Sequence, residues 1–181
     1  MVLSNDSIIH DDQPEIRSLS ADVELPLSEE DRELLFAMHR YVKDSQDEEL
    51  CEKNNLSPAV GIAAIQVGVP KKMIAVVVDA DDGTTLEWAL ANPKIISRSK
   101  MMTCLPDGEG CLSVPEAHPG KIFRYDRVKV RGYDLLTDRN VVIQATGYAA
   151  IVLQHEIDHL SGILYYDHLN DPAPAAYTVV E

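Results

Sequence analysis

Met73-Ile74-Ala75-Val76-Val77-Val78 is followed at once by Asp79-Ala80-Asp81-Asp82-Gly83 and then by Thr84 to Ala91. The first run is short, apolar and rich in β-branched residues, the composition of a buried strand. The acidic segment ends in Asp-Gly, a pair suited to the backbone of a tight turn, so the chain reverses there and Thr84 to Ala91 returns as a second strand. A reversal this short favours antiparallel pairing, because a parallel crossover needs a dozen or more residues.

Downstream the extended pattern continues. Asn92-Pro93 punctuates it, Lys94 to Ser99 resumes it, Arg127 to Tyr133 alternates Val128 and Val130 with charged neighbours, and Asn140 to Ala145 supplies another strand. Upstream, Ser28-Glu29-Glu30-Asp31 reads as a helix start, and Leu34, Leu35, Met38, Tyr41 and Val42 recur on one face of a helix from about Glu29 to Asp47. The acid-rich stretch from Asp44 to Glu52 is expected to face water. Near the C-terminus, Gly147 to Leu160 holds Ile151, Val152, His155 and His159 at helical spacing, and Gly162 marks the stop. Residues 1–24 carry no periodicity beyond a short helix or edge segment around Pro14 to Ser18. The order of helix, many short strands and helix predicts an α+β fold of antiparallel sheets rather than a doubly wound one.

With 181 residues and 45% apolar composition, the chain suits a single domain, 1–181, with a sizeable core. A formal charge of −14 argues against a nucleic-acid partner, since a phosphate footprint needs surplus Lys and Arg. Apolar runs such as Met73 to Val78 are too short to span a bilayer, and the first thirty residues lack an apolar signal core, so a cytoplasmic protein without membrane contact is expected. The three cysteines, Cys51, Cys104 and Cys111, are odd in number and irregular in spacing, which fits a reducing compartment and not a disulfide framework. No heptad pattern appears, so a monomer is expected.

The C-terminal helix carries chemistry. In Gln154-His155-Glu156-Ile157-Asp158-His159, the two histidines lie four apart and share a face where both imidazoles can hold one metal ion, with Glu156 beside them to handle protons. A tetrahedral site that keeps one position for water still lacks a protein ligand. The position ten after His155 is Tyr165, and the only later glutamate is Glu181, so the missing ligand lies upstream. Cys111, in Gly108-Glu109-Gly110-Cys111-Leu112-Ser113-Val114-Pro115, is the best candidate, a thiolate that suits a borderline-soft cation. A third segment, Val60-Gly61-Ile62-Ala63-Ala64-Ile65-Gln66, packs small residues around one amide able to donate to a developing oxyanion. Glu109 and Arg124 are candidates for an ion pair behind the Cys111 loop; His10, His39, His118 and His168 look incidental.

These three segments together resemble the peptide deformylases, which carry, in order, Gly-x-Gly-aliphatic-Ala-Ala-x-Gln, Glu-Gly-Cys-Leu-Ser and Gln-His-Glu-x-Asp-His-Leu. The resemblance runs from about Leu25 to Leu169 and is closest to the form of Gram-positive bacteria; Ala59 replaces the first motif glycine. It implies antiparallel sheets packed around the metal-binding helix, and an enzyme that removes the formyl group from N-formylmethionyl nascent polypeptides, with release of formate and transient proximity to the ribosome. It also implies Fe²⁺ on Cys111, His155 and His159, with Zn²⁺, Ni²⁺ or Co²⁺ as the ions a purified sample can carry instead. By the same likeness Glu156 moves the protons, Gln66 and the Leu112 backbone N–H meet the oxyanion, Val60, Gly61 and Gly110 pair with the extended peptide, and Tyr148, Ile151 and Val152 line the methionine pocket. Two other classes share parts of the pattern: a hydrolase with Cys111 as nucleophile, and a protein that keeps the metal as a structural clip.

Overall fold

A computed structural model describes residues 1–80 and 82–180. Asp81 of the predicted turn and Glu181 lie outside the described residues. In chain order the described helices are α1 (Glu29–Ser45), α2 (Glu48–Lys53) and α3 (Gly147–His159). The strands are β1 (Gly61–Ala63), β2 (Met73–Asp79), β3 (Thr85–Arg98), β4 (Met102–Cys104), β5 (Arg124–Tyr125), β6 (Arg127–Asp134), β7 (Arg139–Thr146) and β8 (Tyr177–Val179).

The Met73-to-Ala91 reversal forms the middle of the main sheet. β2 and β3 run antiparallel with Asp79 opposite Thr85 and Met73 opposite Ala91, inside a sheet of order β1-β2-β3-β6-β7 in which every pairing is antiparallel. β2 is apolar at successive positions because it is covered on both faces. Ile74, Val76 and Val78 join the core around α3, while Met73, Ala75 and Val77 join a second core beneath α1. A smaller sheet, β5-β4-β8, departs from the antiparallel expectation, since β4 and β8 pair in parallel.

α1 begins where expected, the Ser28 hydroxyl accepting the Asp31 N–H at 3.1 Å, and buries Leu34, Leu35, Met38, Tyr41 and Val42. It stops at Ser45, short of the expected Asp47. Asp47 instead caps a new helix: its side chain accepts the Leu50 N–H at 2.9 Å and starts α2. The acid run faces water as expected, but part of it is helical. Asn92-Pro93 does not end a strand either. β3 continues through it on a register shift between Ala91 and Lys94, with Asn92 in a left-handed conformation (φ 51°) and its side chain bonded to the Val23 N–H and C=O, each at 2.8 Å. His39, incidental by sequence, is half-buried against Glu87 Oε2 at 2.8 Å.

α3 is buried nearly all round, polar residues of its second half included, and packs against β1, β2, β5 and β7, so it occupies the centre of the molecule. Gly162 follows with φ 70°, and a Cβ there would stand 2.2 Å from the Arg17 carbonyl oxygen. The N-terminal segment, whose expected short helix forms as a 3-10 turn at Pro14–Arg17, thus lies against the end of α3, with Ile16 fully buried in the same core.

Candidate metal and active site

The helical spacing of α3 sets the His155 and His159 rings 5.0 Å apart, both buried. The Cys111 loop folds back to meet them, and Cys111 Sγ lies 3.4 Å from His159 Nε2. One donor atom from each of Cys111, His155 and His159 falls within 4.8 Å of the other two. Two features fit this cluster to a cation. His155 Nδ1 is 2.8 Å from Glu109 Oε2, which leaves its other ring nitrogen for a ligand bond, the arrangement that commonly orients a metal-bound histidine. Burial is the main cause that lowers the His159 pKa well below the ordinary histidine value, which favours the neutral ring a ligand presents.

Glu109 is buried against Arg124, which donates to both its oxygens at 2.8 and 2.9 Å. Burial alone would raise the Glu109 pKa, but the bonds from Arg124 and His155 overcome it and hold the carboxyl at about 2. The ion pair expected between Glu109 and Arg124 is therefore present, and it extends further. Arg124 also bonds Asp158 on α3, and Asp158 Oδ2 meets His168 Nε2 at 2.8 Å. His168, incidental by sequence, ends a chain of charged contacts that begins at His155. Its only sequence signal is a place ten residues beyond Asp158, which periodicity does not interpret because the intervening turn breaks the helix.

Glu156 sits beside the cluster, 4% exposed, with Oε2 buried and free of any hydrogen-bond partner among the described residues. Burial is the main reason its pKa rises to about 7, the range a residue needs to take and return a proton near neutrality. A Cβ on Gly61 would lie 2.5 Å from Glu156 Oε1, so β1 can run past this carboxylate only as glycine. Gln66 is also buried. Its Oε1 accepts the Ala63 N–H at 2.8 Å, which turns Nε2 toward Cys111 Sγ at 3.5 Å and Ser113 Oγ at 3.2 Å. The Leu112 N–H has no hydrogen-bond partner among the described residues.

A cleft of about 410 Å³ opens over these groups. Val60, Gly61, Gly110, Cys111, Leu112, Tyr148, Ile151, Val152, His155 and Glu156 line it, while Gln66 and His159 lie behind its wall. Ala59, at the first motif's glycine position, lines it too, as do Gln46, Pro58 and Leu105, which no motif marks for that place. Gln46 reaches the cleft because α1 ends there, its amide donating to the carbonyls of Ala59 and Val77 at 2.9 Å each.

Residues 6–175 match the family model described as polypeptide deformylase. The chain belongs to that family. Its relatives include peptide deformylase 2 of Bacillus cereus, 46% identical over 97% of this chain and 95% of that one, and peptide deformylase 2 of Geobacillus stearothermophilus, 47% identical over 92% and 90%. Among solved structures it is similar to a probable peptide deformylase of synechococcus phage S-SSM7, with a TM-score of 0.71 at 32% identity over 89% of this chain and 97% of that one. It is also similar to the Met-Ala-Ser-bound class I type b peptide deformylase of Acinetobacter baumannii, with a TM-score of 0.71 at 30% identity over 93% and 98%. The polypeptide deformylase family is metal-dependent, and the cysteine and two histidines gathered here make up a donor set suited to that dependence. No described helix is long and apolar enough to cross a membrane.

Proposed function

We propose that residues 1–181 form one catalytic domain in which Cys111, His155 and His159 hold Fe²⁺ and Glu156 is the proton-transfer residue of deformylation. The enzyme is a peptide deformylase: it hydrolyses the formyl amide of N-formylmethionyl nascent polypeptides and releases formate. The observation that carries the site assignment is the convergence of one sulfur and two ring nitrogens within 4.8 Å beside a buried carboxylate.

A bound divalent cation supplies Lewis acidity, polarising the carbonyl and lowering the pKa of water. The remaining work falls to the chain. Glu156 accepts the proton of the attacking water and passes it to the departing amine nitrogen, a task its pKa of about 7 suits. Gln66 Nε2 and the Leu112 N–H donate to the oxygen that gains charge, each with an effect of about 3 kcal/mol if it behaves as an ordinary oxyanion donor. Gly61 and Leu112 form the wall that admits formyl and excludes acetyl. β1 is an edge strand, so Gly61, together with the N–H of Val60, whose carbonyl is taken by the Val77 N–H at 2.9 Å, presents backbone groups for an extended peptide that also meets Gly110. Tyr148, Ile151 and Val152, along the same cleft, receive the methionine side chain. Main-chain pairing of this kind reads few downstream side chains, so sequence tolerance beyond the methionine is broad.

The enzyme works as a cytoplasmic monomer in transient proximity to the ribosome. The test is formate release from a formyl-Met peptide by metal-loaded protein, beside Glu156→Ala and an acetyl-Met peptide. Glu156→Ala is expected to lose 10²-fold or more, on the scale of about 10²–10⁴ for general acid–base groups, and the acetyl peptide is not turned over. Wild-type turnover by Glu156→Ala rejects the assignment.

A further inference from the structure

The cations of this acidic chain are segregated. Of its 16 Lys and Arg residues, Arg17, Arg32, Arg40, Lys43, Lys71, Lys72 and Arg124 form ion pairs. Lys94, Arg98, Lys100, Arg127, Lys129 and Arg131 are all exposed, and none has an acidic partner among the described residues. They gather on one region of the main sheet. Along β6, Arg127, Lys129 and Arg131 alternate with buried Val128 and Val130, so the three cations project from the same face. Lys94 of β3 stands directly opposite Arg131, a like-charge cross-strand pair that disfavours the sheet unless an anion lies over it. Beside the row runs a groove of about 230 Å³ whose lining includes Ser97, Arg98, Arg127, Lys129, Gln144 and Thr146 and no carboxylate.

We propose that this β3–β6–β7 face is a docking surface for the phosphate backbone of structured RNA. A row of charges serves a linear polyanion better than a point anion. Successive cations on β6 are two strand rises apart, about 6.6 Å at roughly 3.3 Å per residue, a spacing comparable with that of successive phosphates on one strand. The interleaved Ser, Thr and Gln side chains are the neutral groups that join Arg and Lys in phosphate contacts. Single-stranded RNA is held by bases stacked on exposed rings, and this face offers no open one: Tyr125 lies beneath the Arg98 guanidinium, 4.8 Å from its ring centroid, and Tyr133, on the same side of β6 as the cations, is half-buried against the core beneath α1 with its hydroxyl bonded to Asp138. The occupant is therefore a duplex or folded RNA read by shape and charge. The net charge of −14 remains a barrier to tight binding, so the contact is weak and salt-sensitive, as suits a protein that visits and leaves. The inference rests on charge and geometry and is independent of the reaction assigned above.

The test titrates the full chain into a labelled RNA hairpin at low salt, beside Arg127→Glu/Lys129→Glu and a second variant, Arg40→Glu/Lys53→Glu, that changes the net charge equally on another part of the surface. The β6 variant is expected to lose at least tenfold in affinity and the control less than threefold. The slope of log affinity against log salt should fall by about 1.8 in the β6 variant, about 0.9 for each duplex phosphate no longer neutralised. Formyl-Met peptide turnover should be unchanged in both, which also reports that they fold; Arg127→Gln/Lys129→Gln serves if the glutamates do not. Equal losses in the two variants, tighter binding of single-stranded than of hairpin RNA, equal binding of polyglutamate, or no RNA binding at low salt overturns the proposal.

Discussion

Glu109 Oε2 lies 2.8 Å from His155 Nδ1, and the same carboxylate takes two bonds from Arg124. One buried acid thus orients the His155 ring and shares with Asp158 the neutralisation of a buried guanidinium. Glu109→Gln keeps the shape and removes the charge. The histidine then loses its charged anchor, and metal affinity should fall about 10–100-fold, read by competition with a chelator of known affinity. Arg124, 4% exposed, keeps Asp158 but loses the charge of its other partner, so stability should fall by less than the about 3–5 kcal/mol of a fully unpaired buried charge. A variant that binds metal as tightly as wild type would show that the Glu109 bond does not set the ligand.

Gly61 and Glu156 share space: a methyl at position 61 would meet the carboxylate at 2.5 Å. Gly61→Ala must therefore displace the Glu156 carboxylate or shift β1. Turnover should drop by about 10²-fold, the lower end of general acid–base contributions, while metal content stays at the wild-type level because no ligand is touched. Gly110→Ala is the contrast, since nothing lies within 4 Å of its would-be Cβ; the melting temperature of that variant should match wild type.

The elements set by local rules were legible in the chain. The β2–turn–β3 reversal, the Ser28 cap and the four-residue histidine spacing each depend on neighbours in sequence, and each appears as read. Local rules gave out where distant groups decide. Asn92-Pro93 reads as a break, yet the side chain of Asn92 bonds the backbone of Val23, and the strand continues. Ile16 lies in the short helix expected around Pro14 to Ser18, but nothing local foretells its full burial, which comes from the end of α3 packing against it. At the site, the cysteine and two histidines that converge are the ones the motifs point to. The relay from Glu109 through Arg124 and Asp158 to His168 joins four separate segments, and no spacing rule connects them.

The His168 contact carries a pH signature. Its hydrogen bond to Asp158, aided by Asp171 and opposed by burial and Arg124, raises its pKa above 6.5. A raised histidine stabilises the fold fully below its unfolded pKa and ceases to do so as pH climbs through the folded value. His168→Asn should therefore lower the melting temperature most below about pH 6.5, the ordinary histidine value, with the gap to wild type closing as pH rises above it. Melting curves across pH 5 to 9 measure this. A gap that is constant with pH would assign His168 a packing role alone.

Gln66 offers a substitution that separates charge stabilisation from binding. Its Oε1 is committed to the Ala63 N–H, so the amide cannot rotate without leaving a buried donor unpaired, and Nε2 stays directed at Cys111 and Ser113. Gln66→Glu preserves the shape and the Ala63 bond but replaces the donor with an oxygen that repels a developing oxyanion. If Nε2 stabilises the transition state, kcat should fall by about 10²–10³-fold with KM little changed. Ser113→Ala removes only the neighbour that shares the donor, and its kcat should stay within about threefold of wild type, since a net neutral hydrogen bond contributes near 1 kcal/mol. Steady-state kinetics on a formyl-Met peptide give both values. A Gln66→Glu enzyme with raised KM and intact kcat would instead mark the amide as a ground-state contact to the substrate.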